Sequence, residues 1–227
     1  RLIGEKAWVR NAEKSMFWCY DHNYFATEFH LNLFATELLK YKGMFGMTPA
    51  ETLKDANDNI VITGWPMEYM QDILTPFKNM DKKDTIVFPH RLAPEKQLDI
   101  FKDLEKELPE YEFIVCQEQE LTKDEYHNIL GEAKVVFSAN LQETLGISAY
   151  EGALVNAIPM VPDRLSYVEM FDDAFRYPSE WTLTKEGYKK NKSSLISKIT
   201  DYMENYDQYR KLISKQRTKL LQSFFTG

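Results

Sequence analysis

Between residues 60 and 161, short apolar runs alternate with segments of helical spacing, and this alternation leaves the chain few folds to choose from. The runs are Ile60-Val61-Ile62, Thr85-Ile86-Val87-Phe88, a segment at 112–116 ending in Val115-Cys116, Lys134-Val135-Val136-Phe137-Ser138 and Ile158-Pro159-Met160-Val161. Between them, Leu98, Phe101, Leu104 and Leu108 fall on one helical face, and Pro94 suits a first turn, so a helix is predicted from about Pro94. Further helices are predicted at 123–130 and around Glu151. Strands without polar alternation are buried on both faces, which implies a parallel sheet with helices above and below it. Ligands of such sheets bind beyond the carboxyl ends of the strands.

The flanks read differently. Residues 15–20, Ser-Met-Phe-Trp-Cys-Tyr, have the look of a short buried strand, and 23–41 of a helix. Residues 48–59 are polar with one proline and read as a linker, and 189–225 as mostly helical. One strand and one helix cannot close a core, so residues 1–55 are expected to be the tail of a further domain plus linker, and 56–227 the sheet domain. The start at Arg1 fits a piece of something longer. The net charge of −7 speaks against a broad nucleic-acid footprint. Cys19 and Cys116 have no paired spacing, which predicts a reducing, cytoplasmic setting, and no apolar run is long enough for a membrane span.

The richest stretch for chemistry runs from Gln142 to Asp163, QETLGISAYEGALVNAIPMVPD. It reads as a loop, a helix start at Gly146, a helix carrying Glu151, and a buried strand. Free backbone N–H groups at a helix N-terminus attract phosphate, and a glycine there allows close approach. A carboxylate further along can accept from a pair of sugar hydroxyls. Asn156 stands between the helix and the strand, and asparagine tolerates positive φ there. A second block, Phe88-Pro89-His90-Arg91 followed by Glu95-Lys96, places an Arg and a Lys just beyond a strand end.

Glu143 and Glu151 in an E-x7-E pattern, together with the FPHRLAPEK block, resemble the donor-binding domain of GT-B glycosyltransferases, most closely glycosyltransferase family 4. The resemblance covers about residues 60 to 178. It implies a Rossmann-like α/β sheet forming one half of a GT-B fold. It also implies a metal-independent, retaining transferase with no cofactor beyond its nucleotide diphosphate-sugar donor. Arg91 and Lys96 would hold the diphosphate, Thr144, Leu145 and Gly146 would offer backbone N–H groups, Glu143 would face the sugar and Glu151 the ribose. His90 could donate to sugar or phosphate, although a His beside an Arg more often packs locally. Residues 117–121 would lie at the base. Arg91 and Lys96 are expected in solvent, where their removal costs the fold little.

This chain has E-T-L-G where the family more usually has E-G-F-G, which bears on the sugar's identity. The FPHR block, the segment at 123–126 and Val161-Pro162-Asp163 look similar to the branch that glycosylates modified tRNA bases. That likeness implies a nucleic-acid base as one acceptor, with a cell-surface polysaccharide, that is a glycan, or a lipid equally open. The acceptor groups are expected mostly outside this chain, which alone would be inactive. Alternatives are a GT-B nucleotide-sugar epimerase and a non-catalytic nucleotide-sugar-binding module. No G-x-G-x-x-G or G-x-x-x-x-G-K-[ST] occurs, which disfavours a nicotinamide enzyme and a P-loop enzyme.

Overall fold

A computed structural model describes residues 6–40 and 46–226. The elements are α1 (Ala7–Phe17), β1 (Asn23–Phe25), α2 (Glu28–Leu39), α3 (Pro49–Ala56), β2 (Ile60–Ile62) and α4 (Met70–Leu74), then β3 (Lys83–Phe88), α5 (Leu98–Glu107), β4 (Glu112–Val115), α6 (Lys123–Glu132) and β5 (Ala133–Phe137). They continue with α7 (Ile147–Leu154), β6 (Ile158–Pro162), α8 (Tyr167–Met170), β7 (Arg176–Tyr177), α9 (Lys185–Glu204) and α10 (Tyr206–Ser223). The main sheet has the order β4-β3-β5-β6-β7, with every pairing parallel. From β3 the chain winds outward to β4, then crosses back to place β5 on the other side of β3. The carboxyl ends of β3 and β5 therefore flank a topological switch point, where open α/β sheets carry their ligands.

The runs at 85–88 and 134–138 fill the centre of this sheet. Ile86, Val87, Phe88, Val135, Val136 and Phe137 are buried among Phe101 and Leu104 of α5 and the α7 face of Ala149, Tyr150 and Ala153. Phe101 lies 5.3 Å from the Phe88 ring and 5.7 Å from the Phe137 ring, tying α5 to both switch-point strands. Burying each such ring stabilises the fold by roughly 1.5–3 kcal/mol. The strand ends that carry the site are thus among the most firmly packed backbone in the chain.

Several flanking expectations are corrected. Residues 15–20 are not a buried strand: α1 runs through Phe17, which alone of the run is buried, while Met16, Trp18 and Tyr20 face outward. The first strand is instead Asn23–Phe25, and α2 starts only at Glu28, capped by the Thr27 hydroxyl accepting from the His30 N–H. The supposed linker holds helix α3. Thr48 and Glu51 close a reciprocal capping box there, with Pro49 in the first turn. Phe17, Leu31, Phe34, Ala35, Ala50 and Leu53 form a small core of their own, beside the parallel pair β1–β2.

Among the described residues, hydrogen bonds join this part and its neighbouring segment to the larger core, against which Ala26 also packs. The Glu169 carboxylate of α8 accepts from the N–H groups of Glu28 (3.2 Å) and Phe29 (2.9 Å), satisfying the first turn of α2. The segment after β2 is held by the end of the chain, where Trp65 and Met67 donate their N–H to the carbonyls of Phe224 (2.8 Å) and Phe225 (3.0 Å). No helix among the described residues is long and apolar enough to cross a membrane.

Candidate functional site

Beyond the ends of β3 and β5 lies a cleft of about 490 Å³. One wall is Pro89, His90, Arg91 and Lys96; the other is residues 143–145 with Ile147 and Ser148, and Trp65 also lines it. The structure therefore brings together His90, Arg91, Lys96, Glu143, Thr144 and Leu145, with Gly146 in the same loop. Glu151 does not line this cleft.

Lys96 differs from its sequence reading. It ends a 3-10 turn, Pro94–Lys96, and Gln97 breaks the backbone at φ 55° before α5 begins at Leu98, so no continuous helix starts at Pro94. Gln97 is held by its side-chain amide, which donates to the carbonyls of Ala139 (2.6 Å) and Thr182 (2.7 Å). Lys96 is 8% exposed rather than solvated, and its ammonium donates to the Gln142 carbonyl (3.0 Å) and to Glu143 Oε2 (3.1 Å). The partner lies across the switch point, and local sequence could not reveal it. Arg91 matches the expectation: its side chain is 71% exposed, and it pairs with Glu95 on the same loop.

Glu143 is held from three sides. Asn140 Nδ2 donates to Oε2 (2.8 Å), the Thr144 N–H to Oε1 (2.9 Å), and Lys96 provides the charge. Burial pushes this carboxyl up, but Lys96 and the Thr144 N–H outweigh it and the net shift is downward. Asn140 is fixed in turn by donating to the Tyr167 hydroxyl (3.0 Å), which also meets Ser138 Oγ at 3.0 Å. Arg164 supports the same loop from below, donating to the carbonyls of Ala139 and Asn140, each at 2.8 Å. Asn140, Tyr167 and Arg164 escape the sequence reading, because their function comes only from where the fold places them.

His90 packs locally. Its ring stands edge-on to Phe88 at 5.0 Å, and Nε2 meets the Phe137 carbonyl at 3.0 Å. A carbonyl only accepts, so Nε2 carries the proton and Nδ1 is left to accept from the Ser148 hydroxyl, 3.4 Å away. Burial, then the Lys96 charge, pushes His90 down to about 4, so the ring is neutral at physiological pH.

Gly146 sits at φ +62° immediately before α7. A Cβ there would lie 2.6 Å from Tyr167 Cε1, so the glycine is needed for packing against Tyr167 as well as for its backbone angle. The Ala149 and Tyr150 N–H groups bond to the Gly146 carbonyl, while those of Ile147 and Ser148, first in the helix, have no carbonyl a turn earlier. Leu145 is buried, so its side chain anchors the loop in the core besides presenting backbone.

Glu151, further along α7, is half-buried and accepts from the Tyr126 hydroxyl at 2.7 Å. Burial holds its carboxyl above the ordinary value, with the Tyr126 bond offsetting part of the shift. Its other oxygen has no partner among the described residues. Asn156 closes α7 at φ 63°, as its turn position requires.

No family model and no curated protein matches the chain. Solved structures do. The pneumococcal O-GlcNAc transferase GtfA, in complex with UDP and GlcNAc, aligns at 15% identity with a TM-score of 0.63, over 95% of this chain and 44% of that chain. TarM aligns at 16% identity with a TM-score of 0.52, over 87% of this chain and 43% of that chain. A variant of S. aureus TarM, in complex with fondaparinux, alpha-GlcNAc-glycerol and UDP, aligns at 15% identity with a TM-score of 0.51, over 87% of this chain and 44% of that chain. The chain spans less than half the length of these neighbours, and at such identities the likeness is one of fold. These neighbours are GT-B glycosyltransferases, and the chain has the fold of one half of a GT-B enzyme.

Proposed function

We propose that this chain binds the nucleotide diphosphate-sugar donor of a glycosyl transfer, and that the diphosphate and sugar occupy the cleft between β3 and β5. The observation that carries this reading is the convergence of Lys96, Glu143 and the N-terminus of α7 on one cleft at the switch point. A phosphate there meets backbone N–H groups and the positive end of a helix. Arg91 and Lys96 then stabilise the charge that grows on the diphosphate as the glycosidic bond breaks, without a metal. Glu143, ionised and held by Asn140, accepts from sugar hydroxyls, and Glu151 accepts from the ribose. Retention of configuration and family-4 membership are part of the same reading, as is an acceptor hydroxyl on a nucleic-acid base or a glycan. The acceptor-binding groups are expected on residues other than these, so the chain alone transfers no sugar.

Calorimetry of the folded chain with UDP, GDP and ADP tests the reading. At least one should bind at a single site, with no sugar released or transferred from the matching nucleotide-sugar. Absence of binding with all of them would end the donor interpretation.

A further inference from the structure

We propose that Trp65 is the stacking platform for the donor's sugar ring, a role that rests on the donor reading above. The indole is 58% exposed, yet it lines the same cleft as Lys96, Glu143 and Thr144. Glu151 and Tyr126 are not among the residues that line it, so Trp65 shares this cleft with the groups read as holding sugar and phosphate. A large apolar ring left open beside fixed polar groups is the usual composition of a small-molecule site.

The platform is anchored to the helix that receives the phosphate. The Trp65 N–H donates to the Phe224 carbonyl at 2.8 Å, and the Met67 N–H to the Phe225 carbonyl at 3.0 Å. This close approach depends on Gly64, at φ +65°, where a Cβ would stand 2.3 Å from the Phe224 oxygen. Phe225 stacks on Tyr150 of α7 at 3.8 Å, and the Tyr150 hydroxyl donates to the Met67 carbonyl at 3.2 Å. Trp65 and α7 are thus tied through one packed unit, and ordering the indole on a ligand costs only its own side-chain freedom.

A pyranose has a rim of hydroxyls and a face of C–H groups carrying partial positive charge. That face suits the electron-rich face of an indole, while the rim can turn to Glu143. A nucleobase could stack on the same ring, and comparing nucleoside diphosphate with nucleotide-sugar separates the two.

Titrating the chain and its Trp65→Ala and Trp65→Phe variants with each nucleoside diphosphate and its matching nucleotide-sugar tests the assignment. Trp65→Ala should weaken nucleotide-sugar binding about tenfold, the scale of an aromatic contact, and nucleoside diphosphate binding by less than about twofold. Trp65→Phe should recover most of the loss. Because the indole side chain is exposed, both variants should melt like the parent. Equal weakening of both ligands would place the base, not the sugar, on Trp65, and no weakening of either would remove the ring from the site; each outcome overturns the proposal and leaves the donor reading standing. If the parent binds neither ligand, the donor reading fails and the proposal falls with it.

Discussion

Lys96 and Glu143 meet at 3.1 Å across the switch point, one from the turn after β3 and the other from the loop after β5. With Arg91 on Glu95, each cation of the cleft already faces a carboxylate. On the proposed reading, an incoming diphosphate would find side-chain charges that roughly cancel, with the uncompensated attraction coming from the N-terminus of α7. Lys96 and Glu143 also brace the two loops against each other. On the proposed reading, binding chemistry and stability share those atoms.

Lys96 and Arg91 should consequently part company when each is truncated. Lys96→Ala leaves Glu143 mostly buried without its counter-charge, and should destabilise the fold by about 1–3 kcal/mol. Arg91→Ala, at an exposed position, should change stability by less than about 0.5 kcal/mol. Both should weaken diphosphate binding more than nucleoside binding. Urea unfolding with parallel calorimetry checks this, and equal stability of the two variants would contradict the burial argument.

Releasing Arg91 from its carboxylate should strengthen phosphate binding. Exposed pairs contribute only about 0–1 kcal/mol, so Glu95→Gln should leave the fold intact while improving diphosphate affinity by up to about fivefold. The gain should shrink in high salt, because the Arg91 side chain is exposed. Unchanged affinity at low salt would show that Arg91 does not reach the ligand.

The part of the main sheet from β3 to β6 was legible because its strands carry continuous apolar runs, and the positions of His90, Arg91 and Glu143 beyond strand ends followed from that alone. Ile60–Ile62 instead pairs with β1 in a separate sheet, and the two-residue β7 carries no such run. The amino-terminal part was not. Met16, Trp18 and Tyr20 are hydrophobic but exposed, so an aromatic run imitated a buried strand. The Thr48–Glu51 capping box was written in the sequence, but it was outweighed by the polar composition around it. Lys96 was read as solvated since its partner lies 47 positions away. The Tyr126–Glu151 bond links residues 25 apart, on different helices, and has no local signature.

Gly146→Ala should fail on two counts. The new Cβ meets Tyr167 at 2.6 Å, and the backbone angle lies in the left-handed region. Such strain costs on the order of 1–3 kcal/mol. Because Tyr167 also fixes Asn140, and Asn140 fixes Glu143, nucleotide-sugar binding should fall together with the melting temperature. A variant that melts like the parent would mean that the loop relaxes around the methyl group.

Glu151 should make the ligand-free chain less stable as pH rises. Burial holds its carboxyl above the ordinary value, so the folded chain keeps the proton over a range where the unfolded chain has lost it. Stability is then highest below the ordinary carboxylate value, declines as pH rises through the raised folded value, and stays lowered above it. Glu151→Gln keeps an acceptor for the Tyr126 hydroxyl but removes the titration. Its stability relative to the parent should therefore increase across that window and level off near neutral pH. Charge-assisted hydrogen bonds are roughly twice as strong as neutral ones, so the same variant should bind a ribonucleotide less tightly. A dideoxy analogue, with no diol to hold, should be little affected. Urea unfolding at a series of pH values, paired with calorimetry on both nucleotides, measures the two effects in one variant. A stability difference that does not change with pH would show that Glu151 is not held protonated by burial, and equal loss for both nucleotides would place it in the fold instead of on the ribose.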